Sequence, residues 1–263
     1  MELGVQLYGC MPELRADPEQ FCARLSAAGY THLESCISLN MTEEQLKSRG
    51  LSLVWLPEEV DGFVAIMKKH GLRLQVCHVF ADVEADADKI VALAEKYSLK
   101  QIVVGCRTYK TVEECKGYAD MCLALAEKLA AVGTALWMHN GWPEVRAKIG
   151  DKTVLEIMLE LCEGKVKAQL DTGWALYGGE EPCAYIKKLY PYMGCVHYKD
   201  ILEGFADMDM AKIHIALGKG AVDWAPIHAF AVEKGLPEII DQDLSPEDFV
   251  RDLEETAALL KNA

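Results

Sequence analysis

The 263-residue chain is 51% hydrophobic and 26% charged, a balance that sustains a buried core and excludes a disordered polymer. Its formal net charge of −14 repels a phosphate backbone, so nucleic acid is not an expected partner. No run of about 18 apolar residues escapes interruption by charge, and Met1-Glu2-Leu3-Gly4 opens no basic or long apolar leader, so neither a transmembrane helix nor secretion is expected.

From the N-terminus onward, short apolar runs rich in β-branched residues alternate with longer amphipathic ones. Leu3 to Tyr8 predicts the first strand. Asp17-Pro18-Glu19-Gln20 then supplies an N-cap carboxylate, a proline where no amide hydrogen is needed, and Gln20 to reach back. Phe21, Leu25 and Ala28 form one apolar face before Gly29 ends that helix. A second strand is expected over Thr31 to Cys36. Leu56-Pro57-Glu58-Glu59 opens the next helix and Gly71 closes it, leading to strands over Leu72 to His78 and Gln101 to Cys106. Between Thr111 and Val132, the residues Val112, Cys115, Ala119, Cys122, Ala126 and Leu129 recur at helical spacing, and Gly133 follows. Strands over Ala135 to His139, Val166 to Asp171, Gly194 to Tyr198 and Glu238 to Gln242 complete the series. Ser245-Pro246-Glu247-Asp248 reads as a last capping box, with Phe249, Leu253, Ala257 and Leu260 as the seam of a closing helix.

Eight strands alternating with helices are the number that closes a single-domain α/β (β/α)8 TIM barrel, here over residues 1–263 with no proline- or serine-rich linker. An open doubly wound sheet would call for Gly-x-Gly-x-x-Gly after the first strand, whereas Tyr8-Gly9-Cys10-Met11-Pro12 holds one glycine. Gly218-Lys219-Gly220 is a weak phosphate signal. Ten cysteines without a Cys-x-x-Cys pair, several within apolar runs, read as packed thiols in a reducing cytoplasm.

In such a barrel the chemistry collects at the carboxyl ends of the strands. Those positions hold Glu34, His78, His139-Asn140 with Glu144 after them, Asp171, His197 with Lys199-Asp200, and Asp241 with Asp243. Each alone reads as an ordinary hydrogen-bonded rim residue. Together at one mouth they would repel or desolvate one another unless a divalent cation were present, and mixed carboxylate and imidazole ligation suits Mn²⁺, Mg²⁺, Co²⁺ or Zn²⁺.

Gly4-Val5-Gln6-Leu7-Tyr8, Gly29-Tyr30-Thr31-His32-Leu33-Glu34, His139-Asn140-Gly141-Trp142-Pro143-Glu144, Leu170-Asp171-Thr172-Gly173, Val196-His197-Tyr198-Lys199-Asp200, Gly218-Lys219-Gly220-Ala221-Val222-Asp223-Trp224 and Ile240-Asp241-Gln242-Asp243 together resemble the sugar phosphate isomerase/epimerase family, within the xylose isomerase-like TIM barrel superfamily. The likeness runs in order over nearly the whole chain. It implies one divalent metal held by Glu144, Asp171, His197 and Asp241, with Glu144 and Asp241 moving a proton. Glu34, His78, His139, Trp174 and Lys199 are the expected substrate contacts, His139 being equally placed to ligate. Three departures stand out: Asp241 replaces the family's longer Glu, Gly141 replaces a second His, and Trp174 replaces the His of Asp-Thr-Gly-His. The implied reaction is isomerisation or epimerisation of a ketose or related polyol through a metal-stabilised enediolate. Dehydration of a keto-sugar or keto-inositol on the same site, and a degenerate sugar-binding relative without catalysis, are the alternatives. The expected partner is a small-molecule sugar or polyol. No contiguous basic cluster marks a phosphate site, which favours a non-phosphorylated substrate; assembly into a homo-oligomer is left open.

Overall fold

The computed structural model describes residues 2–245 and 248–263. Eight parallel strands follow one another around a closed ring: β1 (Leu3–Gln6), β2 (His32–Ser38), β3 (Arg73–Phe80), β4 (Gln101–Gly105), β5 (Ala135–His139), β6 (Val166–Asp171), β7 (Met193–Tyr198) and β8 (Glu238–Ile240). Pairing of Leu3 with Glu238 and of Val5 with Ile240 joins the first strand to the last. Eight helices pack outside: α1 (Pro18–Ala28), α2 (Pro57–Lys69), α3 (Ala87–Tyr97), α4 (Val112–Ala130), α5 (Val154–Leu161), α6 (Pro182–Leu189), α7 (Trp224–Lys234) and α8 (Phe249–Lys261). The chain is thus the expected (β/α)8 barrel. None of its described helices is long and apolar enough to cross a membrane.

Two strands outrun their expected ends because they pair with each other: Cys36 aligns with His78 and Ser38 with Phe80. β8 stops early, at Ile240, where the Asp241 N–H closes the ladder on the Tyr198 carbonyl at 2.9 Å. The helix entries behave as capping chemistry dictates. The Asp17 carboxylate accepts from the Gln20 N–H at 2.9 Å, the Glu59 carboxylate accepts from the Leu56 N–H at 2.8 Å, and Thr111 and Glu114 form a reciprocal box. Val112 is a correction: at the first residue of α4 it is 49% exposed, while Cys115, Ala119, Cys122, Ala126 and Leu129 are buried as expected. The proposed box at residues 245–248 includes Pro246 and Glu247, which lie outside the described residues; α8 is capped by Asp248, which accepts from the Arg251 N–H at 3.0 Å.

Most apolar residues fill the layer between strands and helices. A separate cluster of Val76, Val103, Trp137, Cys195 and Ile239 plugs the barrel interior, so the mouth above it is a floor-bounded cup and no channel. Lower down, Gly4 lies against His32, where a Cβ would come within 2.3 Å of the imidazole Nε2. All ten cysteines are free thiols, nine of them buried.

The Gly218-Lys219-Gly220 turn is already occupied by the protein's own anion. Asp200 Oδ2 accepts from the Gly218 and Gly220 N–H groups, and Oδ1 from Ile201 and Val222, all at 2.9–3.0 Å. A side chain on Gly220 would meet Asp200 Oδ1 at 2.4 Å. The weak phosphate signal is therefore a structural latch after β7.

Candidate metal centre

Inward-facing residues near the carboxyl ends of β5, β6, β7 and β8 bring His139, Asp171, His197 and Asp241 together, with one ligand atom from each lying within 4.8 Å of the others. His197 Nδ1 is 3.2 Å from Asp241 Oδ2 and 3.9 Å from Asp171 Oδ2; His139 Nε2 is 4.0 Å from the same Asp171 oxygen. Asp171, His197 and Asp241 are buried, as expected of a site at the bottom of a cup.

Each donor is aimed by a neighbour. Asp171 Oδ1 accepts from the Trp174 N–H at 2.7 Å, capping a short helix (Thr172–Gly178), which leaves Oδ2 turned to the ring. Asn140 clamps the Asp171 backbone: its Oδ1 accepts from the Asp171 N–H at 2.9 Å. Beneath the ring, Glu34 Oε2 accepts from Gln169 Nε2 at 2.7 Å, and Gln169 Oε1 lies 3.1 Å from His139 Nδ1. Because the Gln169 oxygen can only accept, His139 carries its proton on Nδ1 and presents the Nε2 lone pair to the ring. Burial, then the neighbouring His197 and His78, hold the His139 pKa well below the ordinary imidazole range, consistent with a neutral ring. His197 presents Nδ1 to the carboxylates and Nε2 to Glu34, 3.6 Å away. Burial opposes a charge on His197, yet Asp241 and Glu34 outweigh it and raise its pKa.

The donor set suits a cation. Asp171 Oδ2, Asp241 Oδ1 and both ring nitrogens of His197 are buried and lack any hydrogen-bond partner. Orphaned polar atoms in one buried cluster are costly unless something ligates them, and of the two His197 nitrogens it is Nδ1 that is turned to the Asp171 and Asp241 carboxylates. Three carboxylates, those of Asp171, Asp241 and Asp243, face the Lys199 ammonium, whose Nζ lies 2.6 Å from Asp243, 2.8 Å from Asp241 and 3.8 Å from Asp171, while a fourth, Glu34, lies 3.6 Å from His197 Nε2. The excess is negative.

Several expected contacts sit elsewhere than the sequence suggested. Glu144 is outside the ring: its short helix (Pro143–Arg146) turns Oε1 back onto the Gly141 N–H at 2.5 Å, and His139 takes the fourth place. Glu34 is fully buried below the ring, so it orients Gln169 and His197 and is unavailable to a substrate. Asp241 reaches the ring itself despite its short side chain, because β8 ends just before it. Lys199 is buried between Asp241 and Asp243 and does not pair with Asp200, whose carboxylate is spent on backbone N–H groups. His78 and Trp174 line the mouth: the His78 ring stands 5.3 Å from that of His139, and Trp174 lies 5.7 Å from Lys199 Nζ and edge-on to His214. Trp142, Tyr177 and Phe205 extend this aromatic wall. Gln169 and His214 were missed as site residues, and Asn140, noted at the end of the fifth strand, was given no role there.

No protein-family model matches this chain, and no curated protein matches it either. Solved structures do. A sugar phosphate isomerase/epimerase from Parabacteroides distasonis superposes with a TM-score of 0.74 at 18% identity, over 100% of this chain and 98% of that one. The probable 3-DHS dehydratase AsbF from Bacillus anthracis gives 0.73 at 13% identity, over 100% and 99%. A xylose isomerase-like TIM barrel protein from Mycobacterium smegmatis, in complex with magnesium, gives 0.67 at 16% identity, over 99% and 95%. At these identities the likeness shows the fold alone, that of a (β/α)8 barrel.

Proposed function

We propose, starting from this shared xylose isomerase-like fold, that the chain is a divalent-metal-dependent isomerase or epimerase of a ketose or related polyol. The observation that carries the reading is the ring of His139, Asp171, His197 and Asp241 with its buried, partnerless donor atoms. These four residues would hold the ion. When bound, it supplies Lewis-acid polarisation of a carbonyl and its neighbouring hydroxyl, which acidifies the hydrogen on the carbon between them. A magnesium complex of a protein with this fold supports a cation of this class.

Glu144 is the residue that takes and returns the proton. Burial raises its carboxyl pKa, bringing it toward the pH at which it works best as a general acid and base. Its Oε1 is fixed by the Gly141 N–H, leaving Oε2 for the exchange. Asp241 is the poorer base: burial would raise its pKa, but Lys199 and His197 overcome this and hold it well below the ordinary range. Its part is ligation. Trp174 and the aromatic wall beside it exclude water from the reacting carbon.

Glu144→Gln should retain bound Mn²⁺ while losing at least about a hundredfold in the rate of solvent deuterium entry into a ketose substrate. Asp171→Asn should lose the metal itself, read by elemental analysis, with its circular dichroism unchanged. Wild-type protein loaded with Mn²⁺ that exchanges no deuterium into any of a panel of ketoses and polyols would sink the reading. A product lighter than its substrate by one water, the α-hydrogen and the β-hydroxyl having left together, would redirect it to dehydration.

A further inference from the structure

The chain has seven arginines in an acidic background. Four pair with carboxylates: Arg15 with Glu59, Arg24 with Glu254, Arg73 with Glu2 and Arg251 with Glu255. Arg49, Arg107 and Arg146 have no carboxylate partner among the described residues, and all three lie in the segments between the carboxyl end of a strand and the next barrel helix, Arg146 at the end of the short helix Pro143–Arg146. Arg146 is spent on the aromatic wall, donating to the Tyr177 carbonyl at 2.6 Å and stacking on Trp142. Arg49 and Arg107 instead line one cavity of about 400 Å³, with His78, Asp82 and Tyr118 among its walls. That cavity adjoins the ring through His78, whose imidazole touches His139.

Arg49 and Arg107 are both exposed and without an ion-pair partner among the described residues, in a chain of net charge −14. Two on one cavity leave it positive. Asp82, the acid in the wall, is already engaged by the Glu84 and Ala85 N–H groups at 3.0 and 2.8 Å. The Arg107 guanidinium is stacked over the Tyr118 ring at 4.7 Å and hydrogen-bonds to the Tyr109 side chain, two contacts that hold its plane at the cavity wall. The Tyr118 hydroxyl donates to the Gly105 carbonyl at 3.0 Å, anchoring that platform to the end of β4.

We propose that this cavity is an anion subsite, in which Arg107 and then Arg49 clamp a carboxylate or phosphate group carried by the substrate whose carbonyl end reaches the ring. The clamp rests on the isomerase or epimerase reading only in assigning the anion to the substrate. It replaces the expectation of an uncharged sugar, since the two arginines are distant in sequence and form no basic cluster there. A planar guanidinium meets either group through two parallel hydrogen bonds.

Titration calorimetry of the purified protein with inorganic phosphate and with glycolate tests this. The wild type should bind at least one of them, and tighter binding of either names the group the clamp takes. Arg107→Gln should weaken that anion by about tenfold or more, the loss expected for a charged hydrogen-bond partner, and Arg49→Gln by a smaller factor. Arg107→Lys, which keeps the charge and loses the fork, should fall between. Arg24→Gln, on the far side of the barrel wall, should bind as the wild type does. No binding of either anion by the wild type, or equal binding by Arg107→Gln and Arg49→Gln, would overturn the proposal. Anion binding that depends on Arg107, in a protein that exchanges no deuterium, would leave the clamp standing and remove the reaction assigned above.

Discussion

Gln169 joins two groups that the mouth needs, receiving the His139 Nδ1–H on its oxygen and passing its own N–H to Glu34. A single amide thereby sets the tautomer of one ring member and fixes the carboxylate behind another. Gln169→Leu should weaken Mn²⁺ binding by about 10- to 100-fold with an unchanged circular dichroism spectrum, measured by competition with a chelator. Affinity equal to the wild type would show that the relay beneath the ring is not what aims His139. Asp171 and His197 were legible because each ends, or nearly ends, an apolar strand with an ionisable group. Gln169 carried a weaker version of that signal, a polar residue two positions before Asp171 and so on the same inward face of β6. Glu144 misled because spacing along the chain says nothing of rotamer. Its carboxylate accepts from the backbone N–H three residues back, and that local bond keeps Oε1 from joining the ring as a ligand.

Among the elements, the helix entries were the most readable, since an N-cap, a proline and an acidic third residue act within one turn. The segment after β7 was not. Asp200 accepts from the neighbouring Ile201 N–H and reaches across about twenty residues to gather three more backbone N–H groups, and nothing in the intervening sequence announces that closure. Asp200→Ala leaves those donors unsatisfied in a buried turn. The expected cost is about 2–4 kcal/mol of unfolding free energy, checked by urea denaturation. A loss below about 0.5 kcal/mol would mean that water replaces the carboxylate without penalty. Asn140 works in the same manner at smaller range, tying the end of β5 to that of β6 so that His139 and Asp171 keep a common level.

At the scale of the whole barrel, the amino-terminal end contributes a pH dependence of stability separate from the mouth. His32 is buried against Gly4, and burial lowers its pKa to about 4, well below the ordinary imidazole range. A depressed imidazole pKa means that the unfolded chain binds the proton first. The stabilisation is complete above about pH 6.5 and is lost as pH falls toward 4, amounting to roughly 2–4 kcal/mol. Urea midpoints for the wild type should drop across that window, and His32→Leu should flatten the drop; parallel curves would refute the assignment. The order of strands and helices, the buried faces and the presence of acids and imidazoles at strand ends were determined by the sequence, because side-chain periodicity and capping act over a few neighbouring residues. Which donors converge was decided only by barrel closure: His139 beside Asp171, Glu34 below them both, Arg49 and Arg107 on one cavity. Strand register and rotamer choice depend on contacts between residues far apart in the chain, and those contacts exist only once the ring has closed.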